Sequence, residues 1–237
     1  MEQTTNMAPI KPKAMKPEEI LDEIEVLFPD AHCELLHESS FQLLVAVVLS
    51  AQTTDASVNR VTPSLFAKWP DAASLMQAPL SEVEAVLKTL GLYRTKAKNI
   101  IALSQALVEN FDGVVPQTFK ELQSLPGVGR KTANVVRSVA FDIPSLAVDT
   151  HVERVSKRLG LAKPADDPLK VEEKLRRKLP RGRWNRAHHD LIFFGRYFCT
   201  ARNPKCEECP FASFCKKSRL DAYQAALKEK KNGKSNG

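Results

Sequence analysis

The chain has 237 residues, of which 43% are hydrophobic, with 9 glycines, 5 cysteines and a formal net charge of +7 at pH 7. That length allows one large or two modest domains with a buried core, and the scarcity of glycine among many Ala, Leu, Val, Lys and Glu favours helix over sheet. The charge points to a polyanionic partner, nucleic acid first, while the longest apolar run, Phe41 to Ala51, falls far short of the roughly 20 residues that cross a bilayer.

Residues 1–16 are polar, show no apolar leader segment, and read as a disordered extension of a soluble intracellular protein. Pro17 then opens a helix with Ile20, Ile24 and Leu27 at helical spacing and Glu18 and Glu19 in its first turn; Pro29 ends it. Ser40 reads as the N-cap of a helix over Phe41 to Ala51, apolar nearly all round, which places that helix at the centre of a domain. It emerges into the polar segment Gln52-Thr53-Thr54-Asp55. A helix over residues 57–68 stops before Pro70, and Ser81-Glu82-Val83-Glu84 reads as a capping box for a helix closed by Gly91. Residues 95–110 form an amphipathic helix with Ile100, Leu103 and Leu107 on one face.

The next stretch concentrates chemistry. Phe119, Leu122 and Leu125 on one side, and Ala133, Val136, Ala140 and Phe141 on the other, recur at helical spacing around Pro126-Gly127-Val128-Gly129. So short a link is a tight turn, and its two glycines are free to take positive φ. The product is a helix-hairpin-helix whose main-chain N–H groups at Gly127, Val128 and Gly129 form an anion site suited to a phosphate. Arg130 and Lys131 fall in the first turn of the second helix, where the helix dipole and their mutual repulsion both disfavour a cation. Those effects favour the neutral, nucleophilic amine at Lys131; a solvated surface lysine is the bland alternative.

Pro144 breaks this helix, and Thr150-His151-Val152-Glu153 reads as a capping box for a helix through Leu159. Just ahead lies Asp149, either a cap or a carboxylate that stabilises a developing cation, and capping would itself fix its position. His151 reads as structural rather than catalytic. A basic segment holds Lys174, Arg176, Arg177, Lys178, Arg181, Arg183 and Arg186; it suits a DNA backbone, although such runs are usually solvated helix faces. Residues 184–197 form the last clear helix. Directly after it, Cys199, Cys206, Cys209 and Cys215 give C-x6-C-x2-C-x5-C. Thiolates at this spacing can reach one centre, an iron–sulfur cluster ahead of a tetrahedral zinc, because only one Cys-x-x-Cys knuckle is present. The loop between the first two ligands carries Arg202 and Lys205, both placed to meet phosphates. Cys33 stands apart and reads as a core residue. No alternating strand pattern occurs, so the expected class is all-α.

In order, Leu125-Pro126-Gly127-Val128-Gly129-Arg130-Lys131, then Val148-Asp149-Thr150-His151, then the four cysteines, closely resemble the endonuclease III family. Leu49-Ser50-Ala51-Gln52 and Gly91-Leu92-Tyr93 belong to the same resemblance, which runs from about Leu35 to Cys215. The family comprises DNA glycosylases with abasic-site lyase activity, built on a helix-hairpin-helix and a [4Fe-4S] cluster. The resemblance implies that Lys131 is the nucleophile, that Asp149 assists glycosidic cleavage, that Gln52 and Leu92 enter the duplex where a damaged base has left, and that the four cysteines hold the cluster. His151, Arg130, Arg202 and Lys205 join the turn in the implied DNA contact. It also implies two helical domains flanking a DNA groove: a barrel over 32–143, and a cluster domain made of 17–31 and 144–219, with a polar tail over 220–237. The expected substrate is double-stranded DNA bearing oxidised pyrimidines or abasic sites, handled by a monomer in the cytoplasm at the nucleoid if the host is bacterial. Adenine-specific mismatch glycosylases lack the lysine, and oxoguanine glycosylases generally lack the cluster. A non-catalytic hairpin module that merely grips DNA would need neither Lys131 nor Asp149.

Overall fold

The hairpin region is built around a helix with almost no exposed surface: α2 (Ser40–Leu49) has every residue from Phe41 to Leu49 buried. It belongs to a computed structural model that describes residues 15–215, 217 and 218. The expected extension up to residue 14 and the tail over 220–237 lie outside the described residues. Among the described residues the structure is all helical: α1 (Pro17–Leu27), α2, α3 (Asp55–Lys68), α4 (Ala72–Met76), α5 (Leu80–Leu87), α6 (Tyr93–Phe111), α7 (Phe119–Ser124), α8 (Arg130–Phe141), α9 (Thr150–Arg158), α10 (Pro168–Lys178) and α11 (Trp184–Phe193). A 3-10 turn, Arg181–Arg183, leads into α11, and a π-helical turn, Phe194–Phe198, continues it.

Two units divide the chain. The hairpin unit is His32–Ala147 with Arg181–His189. In it α2 packs on α3, α6 and α8, while α4 and α5 pack on α6 and α7 packs on α8. Each fully buried Leu or Val of α2 contributes about 1.5–3 kcal/mol relative to exposure, which is why a helix without a polar face is stable only here. Cys33, expected in the core, is half-buried and packs against it; burial pushes its thiol pKa up.

The cysteine unit comprises the described residues within Met1–Ala31, Val148–Pro180 and Asp190–Gly237. Here α9 packs on α10 and on the π-helical turn. Ile20, Leu21 and Ile24 of α1 are buried, as are Val152, Val155, Val171, Leu175, Leu191, Phe194 and Phe211.

Helix ends differ from expectation by a residue or a few, for local reasons. Ser39, not Ser40, caps α2 by accepting from the Gln42 N–H. Thr54 caps α3 two residues before the expected start, because its hydroxyl reaches the Ser57 N–H. The expected box at Ser81 does not form: α5 begins at Leu80 behind Pro79, which fixes φ without any side-chain cap. The five-residue α4, closed by a reciprocal Asp71–Ser74 box, had no periodic signal long enough to announce it. Likewise α9 is capped by Asp149 rather than by Thr150.

Candidate active site and cysteine recess

The hairpin is built by α7 and α8. Thr118 caps α7, and Leu125 and Val128 turn their side chains into the core, at 3% and 7% exposure, so the turn is pinned from beneath. Gly127 takes φ +77°, and a Cβ there would meet Val48 Cγ1 of α2 at 3.3 Å; any other residue would be both strained and crowded. Gly129 corrects the sequence reading: it is extended, at φ −89° and ψ −179°, because it is the N-cap of α8 and not a second left-handed position. Val128 is also corrected. Its N–H donates to the Leu125 carbonyl at 3.1 Å, so this donor is already used within the turn. Lys131 stands exposed in the first turn of α8, and Arg130, also exposed, lies over the Phe119 ring at 5.2 Å.

Among the described residues, four that are not glycine hold left-handed backbone: Asp112 and Asp142, which are helix C-caps, and Gln52 and Leu92, which are exposed and take φ 53° and 58°. A non-glycine residue in that region costs of order 1 kcal/mol or more, and the last two are found where the sequence placed residues that enter DNA. Leu92, at 63% exposure, is the N-cap of α6 without any capping side chain.

In the cysteine unit Asp149 is half-buried, and its Oδ1 accepts from the His151 and Val152 N–H groups at 2.9 and 2.8 Å. Both bonds fall on one oxygen, so the carboxylate is oriented by the helix it caps. Arg154 Nη2 stands 3.2 Å from His151 Nδ1. The basic segment has internal partners as well: Lys174 pairs with Asp166 at 2.5 Å, Arg176 with Glu172 at 3.2 Å, and Lys178 donates to the Leu161 carbonyl at 2.7 Å.

Cys199, Cys206, Cys209 and Cys215 line one recess together with Phe194, Phe198, Pro204 and Arg158. The donor set fits an iron–sulfur cluster: four thiols, an aromatic wall, and a cation. Phe194 stacks on Phe198 with ring centroids 5.1 Å apart and meets Phe211 edge-on at 5.4 Å. Arg158 Nη1 donates to Cys199 Sγ at 3.2 Å and to the Thr200 carbonyl at 2.7 Å, so a thiolate there is met by a charged donor. Burial and the neighbouring cysteines push the Cys209 thiol up to about 11, and a cationic metal centre is what reverses that preference. Among the described residues, no group of His, Cys, Asp or Glu is gathered tightly enough for a single metal ion. Arg202 and Lys205 are exposed on the loop between the first two cysteines, Lys205 lying 5.9 Å from the Phe198 ring centre. The sequence reading missed Arg154 and Arg158, which sew this loop to α9: Arg154 also donates to the Gly195 and Cys199 carbonyls at 2.6 and 3.2 Å.

Comparison with known proteins places these features in a lineage. Residues 45–181 match the model of HhH-GPD superfamily base excision DNA repair proteins, and residues 199–215 match the iron-sulfur binding domain of endonuclease III. The chain is 55% identical over 199 residues to endonuclease III of Bacillus subtilis (strain 168), covering 84% of this chain and 91% of that one. It is 43% identical over 204 residues to endonuclease III of Escherichia coli (strain K12), covering 86% and 96%. Among solved structures it superposes with a TM-score of 0.84 and 50% identity on a trapped endonuclease III–DNA covalent intermediate, covering 88% of this chain and 99% of that one. A non-covalent endonuclease III–DNA complex gives a TM-score of 0.85 at 50% identity, covering 87% and 96%.

Proposed function

The chain belongs to the HhH-GPD superfamily of base excision DNA repair proteins, within the endonuclease III family, and from that premise we propose that it releases oxidised pyrimidines from duplex DNA and then cleaves the strand. It is a DNA glycosylase with abasic-site lyase activity, and residues 199–215 hold a [4Fe-4S] cluster.

Lys131 in its neutral form attacks C1′ of the damaged nucleotide. The C1′–N bond breaks, the base leaves with the bonding electrons and gains a proton, and the amine loses its proton as the sugar ring opens to a Schiff base. Loss of a C2′ proton then expels the 3′ phosphate by β-elimination, and water returns the free amine. Asp149, oriented by its two helix N–H bonds, stabilises the positive charge that builds on the sugar as the base departs. The Gly127 and Gly129 amides take a backbone phosphate at the start of α8, with Arg130, His151, Arg202 and Lys205 as further DNA contacts. Gln52 and Leu92 fill the gap the base leaves, and damage lowers the cost of extrusion, a few kcal/mol for an intact pair. The cluster, when bound, ties the four cysteines into one loop; its part here is structural. The protein acts as a monomer and, in a bacterial host, works at the nucleoid.

The observation that carries this reading is a lysine in the first turn of the hairpin's second helix, in a chain half identical to a trapped covalent protein–DNA intermediate. Borohydride reduction on a duplex with a single thymine glycol tests it. Wild type should give a covalent adduct and Lys131→Ala none. DNA binding with an intact cluster, but neither adduct nor base release from wild type, would instead mark a non-catalytic hairpin module.

A further inference from the structure

Lys96 is the buried cation of the hairpin unit that the mechanism above leaves unused. It lies in the first turn of α6 at 5% exposure, on the same face as Ala97 and Ile100. Burial lowers its pKa, and no carboxylate offsets that cost. An apolar side chain would fill the place with less penalty.

What the lysine does instead is bond to two strained loops. Its Nζ donates to Thr53 Oγ1, and the Thr53 hydroxyl in turn donates to the Ala51 carbonyl at 3.3 Å, so Gln52 is bracketed on both sides. Its main-chain N–H donates to the Leu92 carbonyl at 3.0 Å. Lys96 thus reaches Gln52 through its side chain and Thr53, and Leu92 through its i−4 main-chain bond, and both of these exposed residues hold left-handed backbone. Neither loop has a glycine at that position to adopt the conformation freely, so an external tether has something to hold.

We propose that Lys96 is a positioning residue that keeps Gln52 and Leu92 at a fixed spacing, so that both enter the duplex together when a base is extruded. The inference rests on the function proposed above. It separates two costs: opening a paired site depends on the tether, whereas chemistry at a site that has already lost its base does not.

The test uses the full-length, cluster-loaded protein. Lys96→Met keeps the apolar stem and removes the donor, Thr53→Val removes the acceptor, and Thr53→Ser keeps the hydroxyl. Lys96→Met and Thr53→Val should release thymine glycol paired with adenine about tenfold more slowly or worse, while cleavage at a preformed abasic site changes by about twofold at most. The double variant should be no worse than the poorer single one, because both remove one interaction, and Thr53→Ser should stay close to wild type. The rise in 2-aminopurine fluorescence beside the lesion, which reports opening without chemistry, should shrink in Lys96→Met although its melting temperature is not lowered. Equal slowing on both duplexes, additive losses, or an undiminished fluorescence rise would overturn the role of Lys96 and leave the glycosylase reading intact. Absence of adduct and base release in wild type would remove both readings, and that result is visible before any variant is made.

Discussion

Asp149 serves as a helix cap and as a proposed catalytic carboxylate, and the two tasks are separable by substitution. Its Oδ1 holds the first turn of α9 through two N–H groups. Asp149→Ala should cost about 1 kcal/mol of stability through the lost cap as well as activity. Asp149→Asn keeps an acceptor oxygen but loses the charge, so its melting temperature should stay near wild type while single-turnover base release falls at least about a hundredfold, an electrostatic loss on the scale of one oriented group. A parallel loss of melting temperature in Asp149→Asn would show that the carboxylate matters only as a cap. At this scale much was legible in the sequence. Lys131 sits where the hairpin pattern puts it, and the sequence admits the cap seen at Asp149. Gly129 was misread because a glycine before a helix can serve as an extended N-cap as well as a left-handed turn. Lys96 carries no mark in the sequence although it lies four residues before Ile100, on the apolar face that runs through Leu103 and Leu107, because lysines ordinarily face water.

The junction of α9 with the π-helical turn shows what element packing adds. Gly195 lies in that turn, and a Cβ on it would stand 2.9 Å from His151 Cβ and 3.2 Å from Val155 Cγ2. The close approach lets Arg154 reach the Gly195 carbonyl and Arg158 reach the first ligand cysteine from neighbouring turns of α9. Gly195→Ala should push α9 away from the turn at about 1–3 kcal/mol, the usual range for overpacking. Thermal melting and the iron content of the purified protein would both report it, and unchanged values for both would mean that the contact yields without cost. The sequence reading ran one helix through residues 184–197, since the apolar pattern continues across the change from α to π; a widened turn leaves no mark in hydrophobic periodicity. Helix identity was legible along most of the chain, and boundaries less so, because caps depend on which of several adjacent polar residues reaches an N–H.

For the whole molecule, acid sensitivity is built into the hairpin unit. Burial, with help from His188, His32 and Arg186, pushes the His189 imidazole down to about 3 from 6.5. Below pH 6.5 the unfolded chain binds a proton that the folded one refuses, so the contribution of this group is complete above 6.5 and drains away as pH falls towards 3. His189→Gln should flatten the fall of melting temperature over that window relative to wild type; parallel curves for the two proteins would refute the assignment. The resemblance implies a cluster domain that includes 144–219, whereas residues 144–147 and 181–189 pack with the hairpin unit, which neither the family resemblance nor the hydrophobic pattern could say.

That division also dictates an order of birth. The hairpin unit comes mostly from one continuous stretch and can begin to form as it leaves the ribosome. The cysteine unit draws on both ends of the chain. Until the later segments emerge, Ile20, Leu21 and Ile24 of α1 lack the surroundings that bury them in the finished protein. The apolar face of the amphipathic α1 is thus made well before the later segments of its own unit. All four cysteines, 199 to 215, follow the hairpin unit in the chain, so the loop that holds iron is the part of the site made last.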